Sequence, residues 1–120
     1  MVGDELRHLE DAGEIVIGFQ RPDGSTGSTP VWVVHVGQDI FVRSMNGPRG
    51  GWYRRLRARP EGEVMESGHT HPVRAEQVED ANTLAAVTDA YRDKYAGSPY
   101  LPPFLRPDAV ASTLRLVARA

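Results

Sequence analysis

The longest apolar stretch of the chain is Pro30-Val31-Trp32-Val33-Val34-His35-Val36. A run with so little alternation predicts a strand covered on both faces. Pro30 lacks an amide donor and is expected at the strand's start; His35 is expected to be a core histidine. Gly37-Gln38-Asp39 then turns the chain into Ile40-Phe41-Val42-Arg43-Ser44, which predicts a hairpin. Upstream, Asp4 to Ala12 predicts a short helix capped by Asp4 and stopped by Gly13. Ile15 to Phe19 predicts a strand, and Pro22-Asp23-Gly24-Ser25 a turn. Downstream, Trp52 to Ala58 has helical spacing, with Trp52 and Leu56 on one face and Pro60 as its stop. Gly62 to Ser67 and His71 to Val78 predict a second hairpin, turning at Gly68. Asp80 to Ala96 is the longest predicted helix; Leu84, Val87, Tyr91 and Tyr95 form its apolar stripe, and Gly97 and Pro99 close it. An apolar, proline-stiffened loop, Tyr100 to Phe104, leads toward a last strand at Thr113 to Val117. Five or six short strands without regular βαβ alternation define an α+β class. A small antiparallel barrel with peripheral helices suits them better than a doubly wound sheet.

Composition narrows the function classes. A chain of 120 residues is one domain, 1–120, with room for a core. It has no cysteine, which excludes disulfides, cysteine–zinc sites and a thiol nucleophile. No apolar run approaches the roughly 18 residues of a membrane span. The acidic opening Met-Val-Gly-Asp-Glu is unlike a signal peptide, so the cytoplasm is the expected location. A net charge of −2 argues against a nucleic-acid protein in bulk.

Charge distribution is more telling than total charge. Six of the thirteen arginines fall between Ile40 and Arg59. That segment reads as a strand ending in Arg43-Ser44, a glycine-rich loop and a helix opening with Trp52-Tyr53. Helix N-termini attract phosphate. Gly50 and Gly51 would let a ligand approach the backbone, and guanidinium groups grip phosphate in bidentate fashion. Aromatic rings beside that phosphate suggest a ligand with a flat end. The same residues also suit a solvated basic helix whose arginines pair with carboxylates. Trp52 equally suits a core plug, and Trp32 a core position. His69-Thr70-His71 could put two imidazoles on one face, but no third ligand is placed by spacing, so exposed turn histidines and no metal are expected. No serine has a GxSxG context.

The order Asp-Gly turn, Pro-Val-Trp-Val-Val, Ile-Phe-Val-Arg-Ser, Gly-Gly-Trp-Tyr-Arg, glycine hairpin and Tyr91-Arg-Asp-Lys94-Tyr95 resembles the bacterial DUF2255 family, over about Asp4 to Val117. It also resembles the wider flavin-binding split-barrel superfamily of pyridoxamine-phosphate-oxidase-like proteins and deazaflavin-dependent reductases. The resemblance implies a six-stranded antiparallel split β-barrel, a homodimer, and an FMN or deazaflavin cofactor as small-molecule ligand. By position it implies that Arg43, Ser44 and Arg54 hold the cofactor phosphate, while Trp32, Trp52 and Tyr53 wall the ring. The chain lacks the Arg-x-Val-x-Leu-Lys strand of the oxidase branch and the lysine-rich grip of the deazaflavin branch. Two readings therefore stand: a flavin- or deazaflavin-dependent oxidoreductase, and a non-enzymatic ligand-binding or interaction module on the same fold.

Overall fold

The computed structural model describes residues 13–119; the helix expected at Asp4–Ala12, and His8 within it, lie outside them. Six strands form a closed barrel: β1 (Glu14–Gln20), β2 (Thr26–Val36), β3 (Asp39–Val42), β4 (Glu61–Glu66), β5 (His69–Gln77) and β6 (Leu114–Ala118). Their order around the barrel is β1-β2-β3-β6-β5-β4, and every pairing is antiparallel. The expected α+β barrel is therefore present. Among the described residues three α-helices pack against it: α1 (Gly51–Ala58), α2 (Ala81–Lys94) and a short α3 (Pro107–Ala111) that the sequence pattern did not reveal. No helix among the described residues is long and apolar enough to cross a membrane.

Alternation along each strand divides the apolar residues between two cores. Ile15 and Ile17 of β1, Val31 and Val33 of β2, Ile40 and Val42 of β3 and Leu114 and Leu116 of β6 fill the barrel. Tyr53 and Leu56 of α1 join them, so α1 plugs the barrel with one face of its two turns. Val34 and Phe41 point the other way, into a second core with Val78, Val87, Tyr91 and Phe104. This outer core lies beneath α2, whose N-cap Asp80 accepts from Thr83 N at 2.8 Å. The unbroken apolar run of β2 thus reflects burial on both faces, as expected from its sequence.

Two expectations about β2 are corrected. The strand is longer than predicted, beginning at Thr26, so Pro30 stands in its middle opposite Val16. From Thr26 to Trp32 the strand pairs with β1 on one edge, and its pairing with β3 begins only at Val33. A missing N–H is tolerated where one edge has no partner strand. His35 is exposed rather than in the core: it follows Val31 and Val33 on the barrel face but stands at the strand's end, beside the Gly37 turn; its Nδ1 lies 3.3 Å from Gly37 O. His69 and His71 fall within β5 rather than at the turn, which is formed by Ser67 and Gly68, both with positive φ.

Where β2 changes partners, its backbone is completed by side chains of α2. Tyr95 Oη accepts from Val33 N at 3.1 Å, lies 2.7 Å from Val33 O and also touches Gly13 O. One proton serves those two carbonyls in turn. Lys94 Nζ donates to Val33 O at 2.8 Å, and Tyr91 Oη to Trp32 O at 3.2 Å. Tyr95 thereby supplies a further rung to the β1–β2 ladder. Burial raises its phenol pKa to about 12, against a smaller lowering effect from Val33. Replacing Tyr95 by Phe should cost about 1–2 kcal/mol, because Val33 N loses its partner. A chemical-denaturation midpoint indistinguishable from the parent's would contradict that assignment.

Candidate functional site

Strand β3 ends at Val42, and the next two residues turn inward. Arg43 is 1% exposed and Ser44 2%. Arg43 leaves the outer face of the barrel and enters the second core. Its Nε donates to Thr113 Oγ1 at 2.8 Å, Nη1 to Phe104 O at 3.1 Å and Nη2 to Leu84 O at 3.0 Å. The guanidinium also lies 5.4 Å from the centre of the Tyr91 ring. Burial pulls the Arg43 pKa down, and the neighbouring Tyr91 opposes that. One side chain thus ties β3 to the start of β6, to the 3-10 turn Pro102–Leu105 and to α2.

Ser44 is held as firmly. Its N donates to Ser112 Oγ at 2.9 Å, and Ser112 Oγ lies 3.2 Å from Ser44 O. A Cβ at Gly50 would fall on Ser44 Oγ. That corrects the expected role of Gly50: what approaches its backbone closely is the protein's own serine. At Gly51 a Cβ would meet nothing within 4 Å. The bonds of Arg43 and Ser44 are thus to the protein interior, whereas the sequence reading gave both residues to an external phosphate.

The aromatic members separate. Tyr53 lies in the barrel core, and its hydroxyl donates to Gln77 Oε1 at 2.6 Å. It does not line the Trp32–Trp52 cleft, where the expectation put it; in an eight-residue helix plugging a barrel, the Tyr53/Leu56 face is the buried one. Trp52, one residue earlier, is half-buried, packed on the margin of the barrel core and edge-on to Tyr53. Arg54 is exposed on the same turn. Trp32 is neither core nor fully covered. It leaves the outer face of β2 and stacks with the rings of Tyr95 (centroids 4.1 Å apart, 10° between planes) and Phe104 (4.8 Å, 15°).

Trp32 and Trp52 are brought together on the rim of one apolar cleft of about 350 Å³. Arg43 and Phe104 reach it from the outer core, and Met45 and Tyr100 from its rim. Met45, 49% exposed, and Tyr100, 68% exposed, are the large exposed hydrophobics of the described residues. Neither was singled out as a site residue, although the apolar 100–104 loop marked the region. A larger cavity of about 440 Å³, lined by Gly18, Glu61, Glu63 and Arg119 among others, shares none of these residues. No group of three His, Cys, Asp or Glu able to hold a metal occurs among the described residues.

A six-stranded closed antiparallel barrel with helices packed against it defines an α+β barrel class of protein. Within that class the chain belongs to the family described as "Uncharacterized protein conserved in bacteria (DUF2255)", which it matches over residues 5–116. No curated protein matches it significantly. Solved structures share the fold at low identity. A conserved hypothetical protein from Mycobacterium tuberculosis is 19% identical with a TM-score of 0.73, covering 100% of this chain and 82% of that one. An F420-H2 dependent reductase is 15% identical with a TM-score of 0.66, covering 88% and 94%. HutZ, the heme storage protein of Vibrio cholerae, is 11% identical with a TM-score of 0.69, covering 99% and 90%. Proteins of this fold thus include a deazaflavin-dependent reductase and a heme-storage protein.

Proposed function

We propose that the Trp32–Trp52 cleft binds a flat, ring-bearing small molecule of the flavin or deazaflavin class. The observation that carries this reading is a pair of tryptophans, from different elements, edging one apolar concavity with Arg43 at its floor. Aromatic faces of this kind receive planar rings by offset stacking. The volume falls in the range of small-ligand sites, about 300–1,000 Å³. Stacking on Tyr95 and Phe104 fixes the plane of Trp32 before any ligand arrives, which reduces the ordering cost of binding. The Arg43 charge, dispersed over three protein acceptors, sets the polarity of the floor. Arg54 is the member of the expected phosphate set whose head is in solvent, where it can meet a charged tail. A bound flavin-type cofactor would supply hydride chemistry; the residues here bind and orient it.

The commitment of Arg43 and Ser44 to internal bonds favours a second reading, a binding module without redox chemistry. One experiment separates the two. Tryptophan-fluorescence titrations with FMN, F420 and heme, accompanied by an absorption spectrum of the purified protein, report which ring is taken. Saturable quenching by FMN or F420 supports the first reading. Quenching by heme alone supports the second, and no quenching by any of the three overturns the ring-binding cleft. Trp52→Ala should weaken the productive ligand about tenfold, the equivalent of one aromatic stacking contact near 1.4 kcal/mol. We further propose that Met45 and Tyr100 meet a second copy of the chain, giving a homodimer. Light scattering that returns the mass of one chain would overturn the homodimer.

A further inference from the structure

The basic helix α1 was open to a bland reading in which its arginines pair with carboxylates. The structure does not pair them. Ion pairs among the described residues include Arg74 with Glu61, Arg92 with Asp89, and Arg115 with Asp39 and Glu76, and none of these involves an α1 arginine. The side chain of Arg55, one face round from Trp52, makes no hydrogen bond or ion pair among the described residues, although the residue is half-buried. It opens onto a second cleft of about 350 Å³ lined by Gln20, Arg21, Pro22, Arg55, Ala58 and Arg59. None of these residues belongs to the Trp32–Trp52 cleft.

Three arginines line it from two sides, the β1–β2 turn and the end of α1, and the lining holds no carboxylate. Arg55 lies in the last turn of α1 and Arg59 is its extended C-cap residue, so both line the cleft from the helix's end. Arg21 joins the lining from the β1–β2 turn. It is held by Nη1 donating to Thr26 O at 2.6 Å and by its contact with the Phe19 ring, 6.0 Å to the centroid. Arg59 Nη1 donates to Gln20 Oε1, which places a second head at the cleft's edge. Asp23, across the turn, is engaged by Ser25 N and Oγ at 2.9 and 2.7 Å. Those bonds lower its pKa first, with a lesser contribution from Arg21. Beyond Arg21 the groove opens toward Glu61, itself paired with Arg74. Cations in the last turn of a helix are ordinary, since they complement its dipole. That accounts for Arg55 alone; it does not account for a concavity or for Arg21 in its lining.

We propose that this cleft is an anion site for a compact polyvalent phosphate, the diphosphate or triphosphate class. The forked donors of Arg55 and Arg59, in a lining of arginines without a carboxylate, match several oxyanion oxygens at once, which a single carboxylate would leave unmatched. The site is separate from ring binding and stands or falls without it.

The probe is inorganic pyrophosphate, added at constant ionic strength while thermal unfolding is followed. At about 1 mM it should raise the midpoint by roughly 3–5 °C. The double variant Arg55→Gln/Arg59→Gln should lose that rise, and Arg21→Gln should lose most of it. Arg57→Gln, which removes a charge from the same helix outside the cleft, should retain it. No rise, or an equal loss in the Arg57 variant, overturns the site in favour of diffuse surface charge. An equal response to citrate overturns the phosphate assignment.

Discussion

Replacing Arg43 with Met should destabilise the protein by about 3 kcal/mol, lowering the thermal midpoint by 10 °C or more. The side chain is buried, and its removal withdraws three charge-assisted hydrogen bonds at once. Thr113 Oγ1 keeps a bond to Val110 O at 2.7 Å, but the Phe104 carbonyl is left in the interior with no donor from Arg43. Desolvation of the guanidinium offsets part of the loss, because Met has no charge to bury. Arg43→Lys should recover only a fraction, since one ammonium cannot reach acceptors spread over three elements. The effect bears on function as well as stability. If Arg43 gripped a ligand phosphate, its loss would weaken ligand binding and leave the apo protein intact. The bonding set here gives the opposite order: the apo protein weakens. An apo midpoint within about 2 °C of the parent would overturn the structural role.

The second large effect is expected at Gly47. Its φ is +63°, and an added Cβ would stand 2.7 Å from Asp108 Cβ and 2.9 Å from Asp108 O. Gly47→Ala therefore combines a left-handed backbone penalty with a clash against main chain that cannot rotate away. We expect about 3 kcal/mol, read by urea denaturation, with Met45 displaced along with the loop. Gly24, also at positive φ, provides the contrast. A Cβ there meets nothing, so Gly24→Ala should cost only the backbone term, near 1 kcal/mol. Equal losses at the two glycines would show that the loop does not dock on α3.

Periodicity revealed the strands and the long helix because each has one apolar face or two. Leu84, Val87, Tyr91 and Tyr95 fall on the face that covers Val34 and Phe41. The same rule failed where an element is too short to show its period. In α1, Trp52/Leu56 and Tyr53/Leu56 are both helical spacings. Which ring plugs the barrel depends on how the Gly50–Gly51 corner enters the helix, which no local pattern records. Arg43 was misleading for a related reason. An arginine at a strand end beside a glycine loop looks like a ligand grip. Its carbonyl acceptors, Leu84 and Phe104, lie 41 and 61 residues away in sequence. Pairing at that separation is invisible before the fold. α3 went unnoticed because five residues starting with proline carry almost no periodic signal.

The side-chain rung that Tyr95 adds to the barrel also predicts where the molecule breathes. Amide protons in the middle of β1, β2 and β4 are locked in hydrogen-bonded ladders and should exchange with deuterium only on global unfolding. Val33 N is locked instead by a phenol hydroxyl on α2. Its exchange should therefore follow the lifting of that helix, a smaller excursion that opens the Trp32 stack and leaves the barrel closed.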